Sequence, residues 1–496
     1  EEILKRFLVG YPVSELRLID MTVRMFTQPR LVLDAPMLVQ ALGEDKDKLA
    51  AALERAQVSE SELASADMFA EALRRLGAVP PTKVSKKTSK TAYAFAKNDA
   101  LFLALQNGDN EDVALLCEAR LQVKSTMART RSQRLIDIAG RGAMPFPLSY
   151  YGAGTGRYTA AKGSSINVQN FKRGSFLRRA IMAPEGYVLG VGDLSQIEPR
   201  VLAWLSDYED LLNVFRSGED PYAAFGRPMF GVPELTKESH PQLRQSAKSA
   251  LLGAGYMLGW ASFASQLLTG FLGAPPVRYI KRDAKQVGVT QAYAEQFLSY
   301  APFVQKMLEI PHTCTDEELL IHCLTAKAII EKYRATAKPV VEFWGFLARM
   351  LEQCLLGGEE VTYKCLTFKR NEIVLANGMS LRYPNVRKQT NKEDGVQIVY
   401  GEDGVKPTKL YAGKLANNVT QGTARIVMTD GMLRVSRRYP VLGSVHDEQI
   451  VLVPQEEAQE AKAWIHAQMV KVPTWMPRIP LDADVGYARR YGDAKK

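Results

Sequence analysis

Two short stretches limit what this chain can fold into more than any others. GYVLGVGDLSQIEPR (186–200) follows a turn at 184–186, runs through an apolar strand and reaches Asp193 at the strand end. A helix is expected to begin near Pro199, because the first turn of a helix leaves its N–H groups unpaired and accepts proline. VLGSVHDEQIVLVP (441–454) has the shape of a tight hairpin, with two apolar runs around a polar turn. Asp447 would sit at its tip and Glu448 would open the return strand. If these distant strands share one sheet, a largely helical block (205–345) must be inserted between them. Two strand-end aspartates on neighbouring strands then present carboxylates to one point. Hard oxygen ligands with open positions suit Mg²⁺, which completes its shell with water and phosphate. Two such ions about 4 Å apart clamp the attacking and leaving oxygens of a phosphoryl transfer.

Taken singly, each aspartate reads better as an exposed turn residue. A third element overturns that. In ESHPQLRQSAKSALLGAGYMLGW (238–260), Arg244, Lys248, Leu252 and Tyr256 recur every four residues. On a helix they share one broad face, drifting about 40° per step. A cationic helix face opposite a metal-bearing sheet can hold a triphosphate. Gly253 and Gly255 each cost about 1 kcal/mol inside a helix and suit a place where a backbone or a flat base comes close. The plainer alternative is an amphipathic helix whose Arg and Lys stems cover apolar surface.

Composition agrees with such a partner. The 496 residues carry a net charge of +10, and Lys and Arg gain by releasing counterions from a phosphate backbone. At about 150 residues per domain the length suggests roughly three units. The chain reads as soluble and globular, and no run of 18 apolar residues suggests a membrane span. Its first residues lack a signal-peptide pattern and a starting Met, so a processed or truncated product is expected. Five cysteines without a CxxC pair indicate reduced thiols in a cytosol-like compartment. HTCTDEELLIHC (312–323) gathers His312, Cys314, His322 and Cys323, but HxC spacing is too tight for most structural zinc sites. The stretch 31–78 has helical periodicity, and PTKVSKKTSKTAYAFAK (81–97) reads as a solvated loop or a flexible basic arm carrying Lys86 and Lys87. Strand signals return after 360.

DLSQIEPR (193–200), R-x3-K-x7-Y (244–256) and VHDE (445–448) resemble motifs A, B and C of the family A DNA polymerases, in order and spacing. TGRYTAAKGSSINVQN (155–170), KST (124–126) and NNVTQGTAR (417–425) resemble further segments of that family, and the wording is closest to phage-encoded members. The resemblance runs from ELRLIDMTVRMF (15–26) to the C-terminus. It implies an α+β right-hand fold, with a palm built on an antiparallel sheet and helical fingers and thumb. The thumb would be 30–125, the palm 126–204 and 346–496, the fingers 205–345, and 1–29 the tail of an exonuclease-like domain.

It also implies roles. Asp193 and Asp447 would hold two Mg²⁺ ions with the Leu194 carbonyl, and Glu448 would stand behind them. Arg244 and Lys248 would bind the triphosphate of a dNTP, with Lys248 able to protonate the leaving pyrophosphate. Glu198 and Gln196 would border the sugar, and Tyr256 would pack where the template base swings in. Arg157, Asn167, Gln169, Asn417 and Gln421 would touch the DNA, with Lys86 and Lys87 on its backbone and His446 at the primer-terminal phosphate. Leu252 stands where the family commonly has Phe or Tyr, so discrimination against dideoxynucleotides is expected. Met257 and Pro199 also depart from the usual motifs, and none of the three removes a catalytic group.

The activity implied is template-directed DNA synthesis by a cytoplasmic monomer (in the bacterial host cytoplasm if phage-encoded), with primer–template DNA, dNTPs and replication accessory proteins as partners. No acidic cluster for a 3′–5′ exonuclease is apparent, so editing is expected to be absent from this chain. Two rivals are a single-subunit RNA polymerase, which Glu198 at the sugar position argues against, and a non-catalytic DNA-binding factor, which leaves three catalytic motifs unexplained.

Overall fold

The computed structural model describes residues 8–84, 90–97, 99–164, 166–270, 276–310, 312, 314–391 and 395–495. The chain forms two compact units, each discontinuous in sequence. The first comprises Glu1–Asp34, Ile138–Leu258 and Ile330–Lys496, and the second Ala35–Asp137 and Gly259–Ile329.

The first unit is organised by a four-stranded antiparallel sheet. Its strands run in the order Val441–Val445, Glu448–Pro454, Tyr187–Leu194 and Ala483–Ala488. The two stretches singled out above are therefore neighbours, with the helical segments inserted between them. The central strand, YVLGVGDL, is almost continuously buried, as expected for a strand covered on both faces. Its glycines decide which face is which. A Cβ on Gly190 would lie 2.9 Å from Ile465 Cδ1, and one on Gly192 2.4 Å from Met469 Sδ. Glycine at both places lets the Ile465 and Met469 side chains of the helix Ala458–Met469 pack directly on the strand. Alternation along a strand then sends Asp193, next to Gly192, to the opposite face.

A buried ion pair ties the helix Val13–Thr27 to the helix Ala412–Val435. Arg425 grips Glu15 through both terminal guanidinium nitrogens, Nη1 and Nη2, at 2.6 and 2.8 Å, and both side chains are at most 2% exposed. Tyr150 Oη donates to Glu15 at 2.5 Å and Asn377 Nδ2 at 2.7 Å, so the carboxylate's oxygens are fully used. A four-stranded and a three-stranded antiparallel sheet (361–382 and 387–409) complete the strand-rich part of this unit.

In the second unit, helices Ala35–Ala56, Glu60–Ala64, Ala66–Arg75 and Glu111–Lys124 enclose a core that includes Leu63, Phe69, Phe102, Leu116 and Cys117. Ser59, Ser65 and Asn110 cap three of them, and Ser59 with Glu62 forms a capping box. The 81–97 stretch is not simply a loop. Thr82–Val84 and Thr91–Tyr93 pair as a hairpin. Beyond it Phe95 stacks on Tyr93 and edges onto Phe69. Three-residue strands are too short to carry a readable period, and Tyr93 and Phe95 supply the anchoring. Lys86 and Lys87 lie outside the described residues.

His322 is a core histidine of this unit. It accepts from Tyr279 N at 3.1 Å and its other nitrogen meets the Ala264 carbonyl at 3.0 Å. Burial holds its pKa down, so it is a neutral bridge between two backbone groups. His312 instead meets the Cys314 carbonyl. Among the described residues no group of three or more His, Cys, Asp or Glu side chains is arranged to hold a metal ion. All five cysteines are free. No helix among the described residues is long and apolar enough to cross a membrane.

Candidate active site

The register of the central sheet assembles the acidic residues. Asp193 pairs directly with Glu448 on one side and with Asp484 on the other. Directly opposed residues point to the same face, so three carboxylates line one face of three adjacent strands. Asp447 joins them from the turn. His446 before it has φ +55°, the left-handed conformation that folds the chain back within two residues. Leu194 N donates to the Asp447 carbonyl at 3.2 Å, fixing the turn to the end of the central strand.

Cations surround this face. Arg173 Nη2 lies 2.7 Å from Asp193. Arg157 Nη2 pairs with Glu198 and stands 3.6 Å from Asp447. Arg178 Nη1 is 3.5 Å from Glu448, whose carboxylate also accepts from Tyr491 Oη. Asp447 is still undercompensated. Burial pushes its carboxyl up to about 6, and the charges of Glu198 and Asp193 add to the rise against the pull of Arg157. Between its ordinary value and about 6 the folded chain keeps a proton that the unfolded chain has lost. This group therefore lowers stability as pH rises through that window. An added cation would relieve the repulsion. Two aspartates plus the Leu194 backbone are an all-oxygen donor set that leaves coordination positions open, which fits a hard divalent ion such as Mg²⁺.

Glu198 is in the first turn of the helix Ile197–Leu205, which starts at Gln196 in a left-handed conformation (φ +46°). Its carboxylate accepts from Arg157 and, at 3.1 Å, from Tyr256 Oη. Arg157, Glu198, Tyr256 and Asp447 thus form one connected network. The loop bearing Arg157 turns at Gly156 (φ +79°), where a Cβ would strike the Tyr151 ring. It meets the helix Ala412–Val435 where Thr155 Oγ1 lies 3.4 Å from Gln421.

The third element differs from the reading by period. The helix Pro241–Ala254 carries Arg244, Lys248 and Leu252, but it ends before Tyr256. Gly255 caps it and Met257 takes φ +64°. Four-residue spacing continues through the turn by coincidence, and Tyr256 reaches Glu198 from beyond the helix end. Gly253 and Gly255 make room for leucine side chains, Leu258 and Leu202, each 2.7 Å from a would-be Cβ. The close backbone approach occurs instead at Gly413, whose Cβ would lie 2.6 Å from the Tyr256 carbonyl oxygen.

Arg244 pairs with Asp220 and lies over the Tyr222 ring, 5.1 Å from its centroid. Lys248 Nζ is 5.8 Å from the same ring. Burial, then the charges of Arg244 and Arg173, hold the Lys248 pKa below its usual value. Gln196 and Arg244 both line a cavity of about 740 Å³ with Arg200, Arg227 and Lys237. Asn417 and Gln421 share a face of the helix Ala412–Val435. Gln169 donates to the Tyr158 carbonyl at 3.1 Å, Asn167 Oδ1 is buried without a partner, and His446 is exposed.

Arg173, Arg178, Tyr491 and Lys495 escaped the sequence reading. Arg173 reaches Asp193 from 20 residues upstream, Arg178, Tyr491 and Lys495 reach Glu448 or Asp193 from further off in the chain, and nothing local marks them. The glycine in ADVGYA (483–488) was the one available signal.

The sequence model of DNA polymerase family A matches residues 37–338. A DNA polymerase of Bacillus phage SP02 is 25% identical over 332 residues, 65% of this chain and 43% of the relative. The thermostable DNA polymerase I of Thermus filiformis is 26% identical over 428 residues, 84% of this chain and 40% of the relative. This chain therefore spans about two-fifths of the length of these curated relatives. The solved structure of the POL domain of Pol1 from M. smegmatis, in complex with DNA primer-template and dNTP, superposes with a TM-score of 0.65 at 20% identity. The match covers 98% of this chain and 71% of that one, so the two share a fold.

Proposed function

This chain belongs to DNA polymerase family A, and from that premise we propose that it adds deoxynucleotides to a primer 3′-OH, directed by a template, with release of pyrophosphate. The observation that carries the reading is the convergence of Asp193 and Asp447. They come from distant strands, are joined by the Leu194–Asp447 backbone bond and stand on a carboxylate-bearing face. Family A polymerases are metal-dependent. Asp193, Asp447 and the Leu194 carbonyl would hold two Mg²⁺ ions, which when bound would stabilise charge on the attacking and leaving oxygens.

The other roles follow from the surroundings. Arg244 and Lys248 hold the triphosphate, and Leu252, half-buried one turn further on, borders the sugar. The depressed pKa of Lys248 suits it to give a proton to pyrophosphate. Arg157, Asn167, Gln169, Asn417, Gln421 and His446 meet the DNA. Arg157 has a second task, because it holds Glu198 in place. The palm is assigned to 126–204 with 346–496, the fingers to 205–345 and the thumb to 30–125. Primer extension with dNTPs and, separately, rNTPs tests the whole reading. Extension with neither would sink it, and a preference for rNTPs would favour an RNA polymerase.

Glu198 closes the space where a 2′-OH would stand. Arg157 and Tyr256 fix its carboxylate, so a ribose meets an occupied, partly desolvated site. Glu198→Ala should raise ribonucleotide relative to deoxyribonucleotide insertion about 10–100-fold. Single-nucleotide kinetics decide it, and an unchanged ratio would place the gate elsewhere.

The raised carboxyl of Asp447 predicts a pH dependence of ion binding. A metal displaces the proton held up to about pH 6. Mn²⁺ affinity of the free protein should be flat above that pH and fall by about tenfold per unit below it. Calorimetric titration at pH 5 and pH 7.5 measures this, and equal affinities would contradict the assignment of Asp447 as a ligand.

A further inference from the structure

The segment that follows the strand Ala483–Ala488 turns back over the carboxylate face of the sheet. Gly486 lies two residues from Asp484, so it faces the same way. A Cβ there would be 1.7 Å from the Ala494 carbonyl oxygen. Only glycine admits this crossing. The segment is pinned again at Gly492, where a Cβ would be 2.8 Å from Arg179 N. Between these points Tyr491 is buried, its ring 4.7 Å from the Arg178 guanidinium and its hydroxyl on Glu448. The crossing delivers Lys495. Its Nζ lies 3.2 Å from Asp193, 3.8 Å from Glu448 and 3.7 Å from Asp484, one carboxylate from each of three adjacent strands. The side chain is 13% exposed, and its ammonium has no hydrogen bond of good geometry.

We propose that Lys495 is a positioning residue of the polymerisation site: an internal counter-cation that balances Asp193 and Glu448 and is exchanged when divalent ions bind. The inference rests on the metal-binding reading of Asp193 and Asp447 given above. An ammonium centred among three carboxylates, without an aligned hydrogen bond to any, neutralises charge and gives up little when it moves. Its four-carbon stem allows that movement while the backbone stays held at Gly486 and Gly492. Arg173 and Arg178 each stand beside a single carboxylate, whereas Lys495 adds a cation shared by all three strands, and the site keeps its shape between turnovers.

The test is Mn²⁺ binding to the full chain without DNA, read from the electron paramagnetic resonance signal of free Mn²⁺, with thermal melting in EDTA beside it. Lys495→Met should bind Mn²⁺ about tenfold more tightly than the parent, because a competing charge is gone, and should melt at a lower temperature in EDTA. Lys495→Arg keeps the charge and should stay near the parent in both measurements. Asp484→Asn changes an exposed side chain and tests the idea even if Lys495→Met fails to fold. It concentrates the ammonium on Asp193 and Glu448, so Mn²⁺ binding should weaken. Unchanged or weaker binding in Lys495→Met overturns the proposal, as does Lys495→Arg behaving like Met or unchanged affinity in Asp484→Asn. If the parent binds no Mn²⁺, or Asp447→Asn binds it as well as the parent, the metal reading itself fails and the proposal falls with it.

Discussion

Asp447→Asn is expected to lower the rate of primer extension by about a thousandfold or more, with primer–template affinity close to that of the parent. The carboxylate stands at the tip of a two-residue turn whose backbone is fixed to Leu194, and an amide of the same shape leaves that turn intact. What changes is charge. On the proposed reading the site loses a ligand for a divalent ion, an interaction worth several kcal/mol to a phosphoryl-transfer transition state, and about 1.4 kcal/mol is a factor of ten in rate. DNA affinity depends on cations along the phosphate backbone, and none is removed. The substitution also removes a repulsive partner of Glu198 and Asp193, so the variant should melt no lower than the parent near neutral pH. Single-turnover extension beside fluorescence anisotropy with a labelled primer–template separates the two effects. Extension within tenfold of the parent would remove Asp447 from the metal site.

Arg425→Met should lower stability by about 3–5 kcal/mol, the usual cost of leaving a buried charge without its partner. Glu15 would keep Tyr150 and Asn377 as donors but lose the Arg425 cation that pairs with it. The loss should depend on pH in a defined direction. Burial raises the Glu15 carboxyl, but the hydrogen bond and charge of Arg425, with the hydrogen bonds of Tyr150 and Asn377, outweigh it and hold the pKa below its ordinary value. The pair's contribution is therefore fully present above the ordinary carboxylate range. It fades as pH falls through the lowered folded value, and parent and variant should converge there. Glu15→Leu with Arg425→Met should recover much of the loss, since a packed apolar pair often replaces a buried ion pair without penalty. Urea unfolding of the parent and the two variants at pH 7 and on through the acid range below the ordinary carboxylate value measures this. A single variant as stable as the parent would show that the pair contributes nothing.

Local determinants of this fold show in the sequence, and distant ones do not. Asp193 and Asp447 were readable because each lies at a strand end marked by its own neighbours, an apolar run on one side and a turn or helix start on the other. The inserted helices followed for the same reason. The network around Glu198 was not readable. Arg157, Glu198 and Tyr256 come from a loop, a helix start and a helix end, and nothing near any of them encodes the others. The helix over Arg244 and Lys248 was extended too far because spacing cannot register a cap that a glycine and a left-handed Met257 impose. Nothing in ELRLIDMTVRMF marks Glu15 as buried, and its burial is visible only once Arg425 stands opposite.

The central strand Tyr187–Leu194 takes both of its sheet neighbours, Glu448–Pro454 and Ala483–Ala488, from beyond the whole helical insertion. During synthesis this strand leaves the ribosome long before either neighbour exists. At ordinary elongation speeds the wait is roughly tens of seconds, longer than most domains take to fold. Throughout it an apolar strand presents two unpaired edges, a template for pairing with another nascent chain. The helical segments made in the interval can fold first and leave the strand waiting. The proposed chemistry thus falls to the part of the molecule that closes last, and a translation arrested before residue 441 yields a chain whose central strand is bare on both sides.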